Sequence, residues 1–432
     1  MADIRGADKT HDAVQPVISA NAGEISKAQD DVILDEAATY LANASEEYAP
    51  MTLEQEKKIV KKIDAWSPPP TWSWAGFMVL RFVLGFLEAA ITPSLTMIVA
   101  SFYKKSEQPP RNAIVFAYFS SIINGFFAWV VGKIPESAPL FKWQYLYIMT
   151  GSINVAYSIF LFFMLPSNPM NARFLTKEQK YHAVQRLAEN RTGIRNNQWK
   201  WEQVWEALMD VKIWVIFFFN IVINIPNGGL QTFGTIIINN LGFTALEASL
   251  LTMPFGVLAT SGAWFFSYIV AQWRNRRTLV ACIALLLPIF GTSLVYGLPR
   301  DNIAGQMVGL YFMYFYWPPY VIGISLPQAN TAGNTKKSIS YSLVTIGYAA
   351  GNLIGPQTFR ADQAPKYTSG VVAMICCYCA SMVLMLLYWL VASTQNKRRD
   401  RRYGKPQEVH EGTADGFVDL TDRQQENFRY TT

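Results

Sequence analysis

Little in this chain could support catalysis or metal binding. Its three histidines, His11, His182 and His410, all lie outside the long apolar stretches, and no two acidic residues converge within one, so no enzyme signature is written there. Cysteine is nearly as sparse. Cys282, Cys376, Cys377 and Cys379 fall inside apolar stretches, where a thiol behaves as a small buried hydrophobe, and their spacing gives neither a disulfide framework nor a zinc motif. The close set Cys376, Cys377 and Cys379 has no histidine or acid beside it to complete a soft-metal site. Gly333-Asn-Thr-Lys336 is too short to cradle a phosphate, and no cofactor is expected. No apolar run follows the N-terminus, which argues against a cleaved signal peptide. Charge is thin as well, at 16% of residues.

What is present instead is apolar: 51% of residues are hydrophobic and 14% aromatic, in long blocks separated by short basic stretches. A helix of about 20 apolar residues crosses a bilayer and satisfies its own backbone polar groups. Nine such windows are read, at residues 76–103, 112–131, 143–165, 213–241, 248–273, 278–297, 304–326, 338–359 and 369–393. The expected fold is an all-α polytopic membrane bundle. Residues 1–51 lack apolar periodicity and read as a disordered cytoplasmic tail. Thr52-Leu-Glu-Gln55 is a capping box that opens an amphipathic helix over 52–64, stopped by Ser67-Pro-Pro-Pro-Thr71. Three spans over 76–165 are followed by a charged cytoplasmic loop at 166–210, six more spans over 211–393, and a polar tail at 394–432 that opens on Lys397-Arg-Arg-Asp-Arg-Arg402. In the loop, Thr176-Lys-Glu-Gln179 caps one helix, and Trp199, Trp201, Val204, Trp205 and Leu208 mark another at the membrane surface.

The net charge of +6 sits between spans rather than on one soluble face, so topology accounts for it and no nucleic-acid partner is expected. Basic residues crowd alternate loops: Lys104, Lys105 and Arg111, then Arg173 to Arg195, then Arg274, Arg276 and Arg277, then Lys336 and Lys337, then the C-terminal cluster. By the positive-inside rule this set and the C-terminus are cytoplasmic. Counting nine spans back places the N-terminal segment outside, yet it carries Lys57, Lys58, Lys61 and Lys62, which should also stay inside. That parity conflict points to an odd number of missing spans; the competing reading is that downstream charges overrule these lysines.

Charged groups in a bilayer are costly and therefore functional candidates. Only Arg81 and Glu88 lie deep in the windows, seven residues and about 10 Å apart on one helix face. The Arg81 fork suits a carboxylate or phosphate, and a desolvated Glu88 suits proton carriage; the structural alternatives are snorkelling for Arg81 and helix tying for Glu88. Asn220, Asn224, Asn227 and Gln231 form a polar stripe interrupted by Pro226-Asn-Gly-Gly229, as expected of a broken helix lining a cavity, or else of interhelical hydrogen bonding. Thr345, Tyr348 and Asn352 share a face, while Gly347, Gly351 and Gly355 permit close helix packing. The aromatic run from Tyr311 to Tyr320 offers stacking for a ligand or simple packing.

Several segments in fixed order carry a resemblance: Arg81-Phe-Val-Leu-Gly85 with Glu88 and Pro93; Gln108-Pro-Pro-Arg111; Asn171-Ala-Arg-Phe-Leu-Thr176; Asn224-Ile-Pro-Asn-Gly-Gly229; Ala329-Asn-Thr-Ala-Gly333 with Lys336; Gly351-Asn-Leu-Ile-Gly-Pro-Gln357; and Asp419-Leu-Thr-Asp422. The chain resembles the allantoate permease branch of the anion:cation symporter family, within the major facilitator superfamily. The resemblance implies two helical bundles, alternating access, and proton-coupled uptake of carboxylate nutrients such as ureides, vitamins or small peptides at the plasma membrane. It also implies that Arg81 meets the substrate anion and Glu88 the proton, with Asn224, Asn227, Gln231, Tyr348 and Asn352 as expected substrate contacts. Members of that family continue from the stretch similar to Lys61-Lys-Ile-Asp64 into three spans; here the match resumes at the fourth, and the resemblance implies that three spans are absent between Asp64 and Gly76. A chain so shortened would transport, or would serve as a non-transporting nutrient receptor or a partner of a full-length carrier; a membrane-embedded enzyme is the remoter alternative.

Overall fold

The computed structural model describes residues 74–135, 138–166, 168–187, 190, 198–273, 275–299, 301–360, 363, 367–404 and 419–432. The expected N-terminal tail and the 52–64 helix lie outside the described residues. Fifteen α-helices run along the chain with no strand among the described residues: α1 (Trp74–Glu88), α2 (Ile91–Phe102), α3 (Gln108–Val115), α4 (Phe119–Gly132), α5 (Lys142–Met164), α6 (Lys177–Gln185), α7 (Trp201–Leu208), α8 (Val211–Asn239), α9 (Ala245–Leu251), α10 (Met253–Gln272), α11 (Arg277–Gly297), α12 (Ile303–Met313), α13 (Trp317–Asn330), α14 (Asn334–Ile354) and α15 (Thr368–Tyr403). Among the described residues, seven helices, some of them joined pairs such as α1 with α2, are long and apolar enough to cross a membrane. Of the other two expected windows, one is divided between α12 and α13 by a 3₁₀ turn at Tyr314–Tyr316, and the other, α14, has 21 residues.

Contacts divide the chain into two units between Gly85 and Phe86. The described part of the first is α1 as far as Gly85, and no residue of α1 is buried. In the second unit α8 packs on α14 and α15, α11 on α12 and α15, and α10 on α3, α4 and α13. Burial is uneven: 67% of the apolar stretch of α8 is buried and none of α5's.

Two elements differ from expectation. Pro226 does not interrupt α8, which continues for 29 residues; one missing N–H costs little when neighbours hold the helix on both sides of it. The last helix extends past the polar boundary to Tyr403, because Asn396 and Arg399 on its final turns bond the main chain of residues 422–430. The Thr176 and Gln179 side chains do form the reciprocal cap of α6.

Close approach of α8 to α14 depends on small residues. A Cβ at Gly351 would sit 2.8 Å from Cβ of Asn224, one at Gly347 2.8 Å from the Phe217 carbonyl, and one at Gly228 2.8 Å from Cα of Asn352.

Where α8 begins, charges are buried together. Lys336 Nζ lies 2.6 Å from Asp422, 2.9 Å from Glu206 and 3.0 Å from Asp210, so its three N–H donors are all used. Lys212 Nζ lies 3.0 Å from Asp210 and donates to Gln395 at 2.9 Å. Burial pushes the Asp210 carboxyl up, but Lys212 and Lys336 together outweigh it and hold its pKa at about 2. The residue is thus stabilising above its ordinary value near 4, and that contribution falls away as pH drops toward 2.

Two measurements check this packing. Gly351→Leu should destabilise the fold by about 1–3 kcal/mol, seen as a lower thermal unfolding midpoint in detergent, whereas Gly151→Leu, with open space around it, should not. Lys336→Met should cost about 3–5 kcal/mol by leaving carboxylates buried without their cation, and the loss should shrink when Asp422→Asn is added.

Candidate functional site

Midway along the helices and toward the end where α8 finishes, a cavity of about 470 Å³ opens between α4 on one side and α8, α10 and α14 on the other. Its polar lining comes from Ser121 and Asn124 of α4, Gln231 and Thr235 of α8, Thr252, and Tyr348 of α14. Tyr118, Phe255, Tyr314 and Trp317 form an aromatic wall. The Tyr118 ring meets Trp317 edge-on at 4.8 Å, and Phe255 stacks on Tyr314 at 3.9 Å. Trp317 is fixed by its indole N–H, which donates to the Phe116 carbonyl at 2.8 Å. None of the lining residues carries a formal charge. Recognition there rests on hydroxyls, amides and ring faces.

An amide ladder stands behind that wall. Gln231 donates to Asn227 Oδ1 at 2.8 Å and to the Tyr118 hydroxyl at 3.4 Å. Tyr316 donates to the same Asn227 oxygen at 2.5 Å, while Asn227 Nδ2 donates to Asn352 at 3.0 Å and to Asn224 at 3.3 Å. Asn352 in turn donates to the Tyr348 carbonyl at 2.9 Å. Five expected contacts are thus brought into one network, but at different depths. Gln231 and Tyr348 line the cavity; Asn224 and Asn227 are fully buried and hold others in place.

The two charged candidates stand otherwise. Glu88 is exposed at the end of α1. Arg81 belongs to the first unit, exposed, with its guanidinium 4.9 Å above the Phe77 ring. Of the aromatic run, Tyr314 and Trp317 face the cavity while Tyr316 and Tyr320 are buried in the core. The α4 contribution went unread in the sequence, although Ser121, Asn124, Gly125 and Ala128 recur at helical spacing as one small, polar stripe among large apolar residues.

Toward the other end of α13 the helices are tied by side-chain amides. Asn112 and Gln328 form a reciprocal amide pair at 2.6 and 3.2 Å, fully buried, and Gln328 also donates to the Thr96 carbonyl at 3.1 Å.

A model of the Major Facilitator Superfamily matches residues 65–356. An MFS-type transporter of Penicillium expansum is 45% identical over 339 residues, which cover 78% of this chain and 69% of that protein. The allantoate permease of Saccharomyces cerevisiae is 35% identical over 374 residues, covering 84% and 68%. A thiamine pathway transporter of the same yeast is 29% identical over 362 residues, covering 83% and 68%.

Asn227→Ala should leave the Tyr316 hydroxyl and the Gln231 amide without their shared acceptor, at a cost of about 1–3 kcal/mol. A double-mutant cycle with Tyr316→Phe, read by thermal unfolding, should show strong coupling.

Proposed function

The chain belongs to the Major Facilitator Superfamily as an integral, multi-pass membrane protein, and we propose that it carries small organic anions across the membrane together with protons, by alternating access. The observation that carries this reading is the cavity itself. It lies between α4 and the helices α8, α10 and α14, and is lined by uncharged polar and aromatic groups. A ureide or other amide-bearing carboxylate fits such a lining, since its neutral part can exchange hydrogen bonds with Gln231 and Asn124 and lie against Trp317. Allantoate is what one relative is named for.

The carboxylate itself is assigned to Arg81 on the chemistry of its fork and on the resemblance, and proton coupling to Glu88 on its position in an apolar helix. The charge pattern supports a cytoplasmic C-terminus, and the reading extends to the plasma membrane. We also propose that three spans are missing between Asp64 and Gly76. The charge parity, the extent of the match to about two thirds of each relative, and the unburied apolar faces of α1 and α5 support it. Those same faces favour a second reading, in which the chain does not transport but pairs with, or senses for, a complete carrier.

Uptake of labelled carboxylates under an inward proton gradient tests both. Arg81→Ala should lower uptake at least tenfold with surface abundance unchanged, and Glu88→Gln should leave exchange but abolish gradient-driven accumulation. If the chain alone takes up nothing while one with three spans restored after Asp64 does, the second reading holds and the first fails.

A further inference from the structure

Residues 419–432 are bound like a ligand. Asp419 meets Lys200 at 2.8 Å and accepts from the Asn334 backbone N–H at 2.9 Å. Asp422, fully buried, meets Lys336 at 2.6 Å and accepts from the Tyr430 hydroxyl at 2.8 Å. Arg399 donates to the carbonyls of Asp422 and Gln425 at 2.6 and 2.7 Å. The Asn330 side-chain amide exchanges two hydrogen bonds with the main chain of Thr431, at 2.7 and 2.6 Å. Phe428 and Tyr430 are the buried anchors, with the Tyr430 ring 4.0 Å from Lys212 Nζ.

The bound segment also reaches the end of the bundle where Asn112 of α3 pairs with Gln328 of α13. Phe428 lies 4.0 Å beneath the Lys105 ammonium in the loop between α2 and α3. Thr432 accepts from the Arg277 backbone N–H at 2.6 Å, and the Arg277 guanidinium bonds the Lys105 carbonyl. Opening this end must part the α2–α3 loop from α11 and α13, so it must also break the Phe428–Lys105 contact. Ion pairs suit such a role, because charges that lose each other regain hydration.

We propose that the groove between α7, α8, α14 and α15 is a binding site for an acidic, aromatic-bearing peptide, that residues 419–432 are its resident ligand, and that their release unlocks this end of the bundle. The unlocking rests on the alternating-access reading; the binding does not. Without the segment, Lys212 and Lys336 keep Glu206, Asp210 and the neutral Gln395 but lose Asp422, Asn330 keeps only the Tyr388 hydroxyl, and Arg399 loses the carbonyls of Asp422 and Gln425.

Hydrogen exchange on the full chain in lipid nanodiscs tests this, with no need for transport activity. Asp422→Asn should speed exchange of residues 419–432 and of the 103–107 loop by about tenfold or more, while α10 stays protected. A synthetic peptide of residues 419–432 should restore protection to the loop while the chain's own displaced segment stays exposed to exchange, and a scrambled peptide should not. If Asp422→Asn unfolds the bundle, Phe428→Leu, which spares the ion pairs, should still speed exchange of the loop. A freed segment beside an unchanged loop would overturn the unlocking, and failure of the native peptide to restore protection would overturn the binding site. Loss of uptake in a separate assay would bear on the transport reading alone.

Discussion

The contact between α8 and α14 is the constraint on which the rest of the structure depends. Glycines at 228, 347, 351 and 355 remove side chains from the interface, and the two backbones come close enough for Asn227 to reach Asn352. In a bilayer no hydrophobic force drives helices together, so packing of small residues and interhelical hydrogen bonds must do it. One pair of helices thereby fixes both ends of the molecule. At one end it presents Gln231 and Tyr348 to the cavity; at the other it brings Asp210 and Lys336 within 3.0 Å.

The ends are built from different chemistry for a physical reason. The cavity uses neutral amides, hydroxyls and rings, which exchange partners with a solute at small cost. The end where α8 begins gathers Lys212, Lys336, Asp210 and Asp422 as buried ion pairs and adds the 419–432 segment as a further layer. A charge cluster of this kind contributes little net stability but strongly penalises wrong arrangements. It suits a part of the molecule that must hold one of a few discrete states.

Much of this was legible in the residues. Apolar length gave the helices, because backbone satisfaction in lipid leaves few alternatives, and the four-residue spacing of Gly347, Gly351 and Gly355 announced a close helix contact. The polar stripe of α8 was visible, but not which members face solvent: Asn224, Asn227 and Gln231 share one side of a helix, and only the position of α14 decides that the first two are buried. Pro226-Asn-Gly-Gly229 reads as a break in isolation, yet neighbours on both sides hold the helix through it. The buried cluster could not be read, since Lys212, Lys336 and Asp422 are far apart in the chain and each looks like an ordinary loop charge. Asp419-Leu-Thr-Asp422 stood out as a motif without revealing what it touches.

On the transport reading, the solute sits in the cavity beside α8 and α14. The most direct measurement is alkylation of a cysteine placed at Thr235 on the cavity wall, in a chain whose four native cysteines are replaced. A small amide-bearing carboxylate should slow labelling in a saturable way, and Gln231→Ala should weaken that protection. Labelling that no such solute slows, or protection that Gln231→Ala leaves intact, would contradict it.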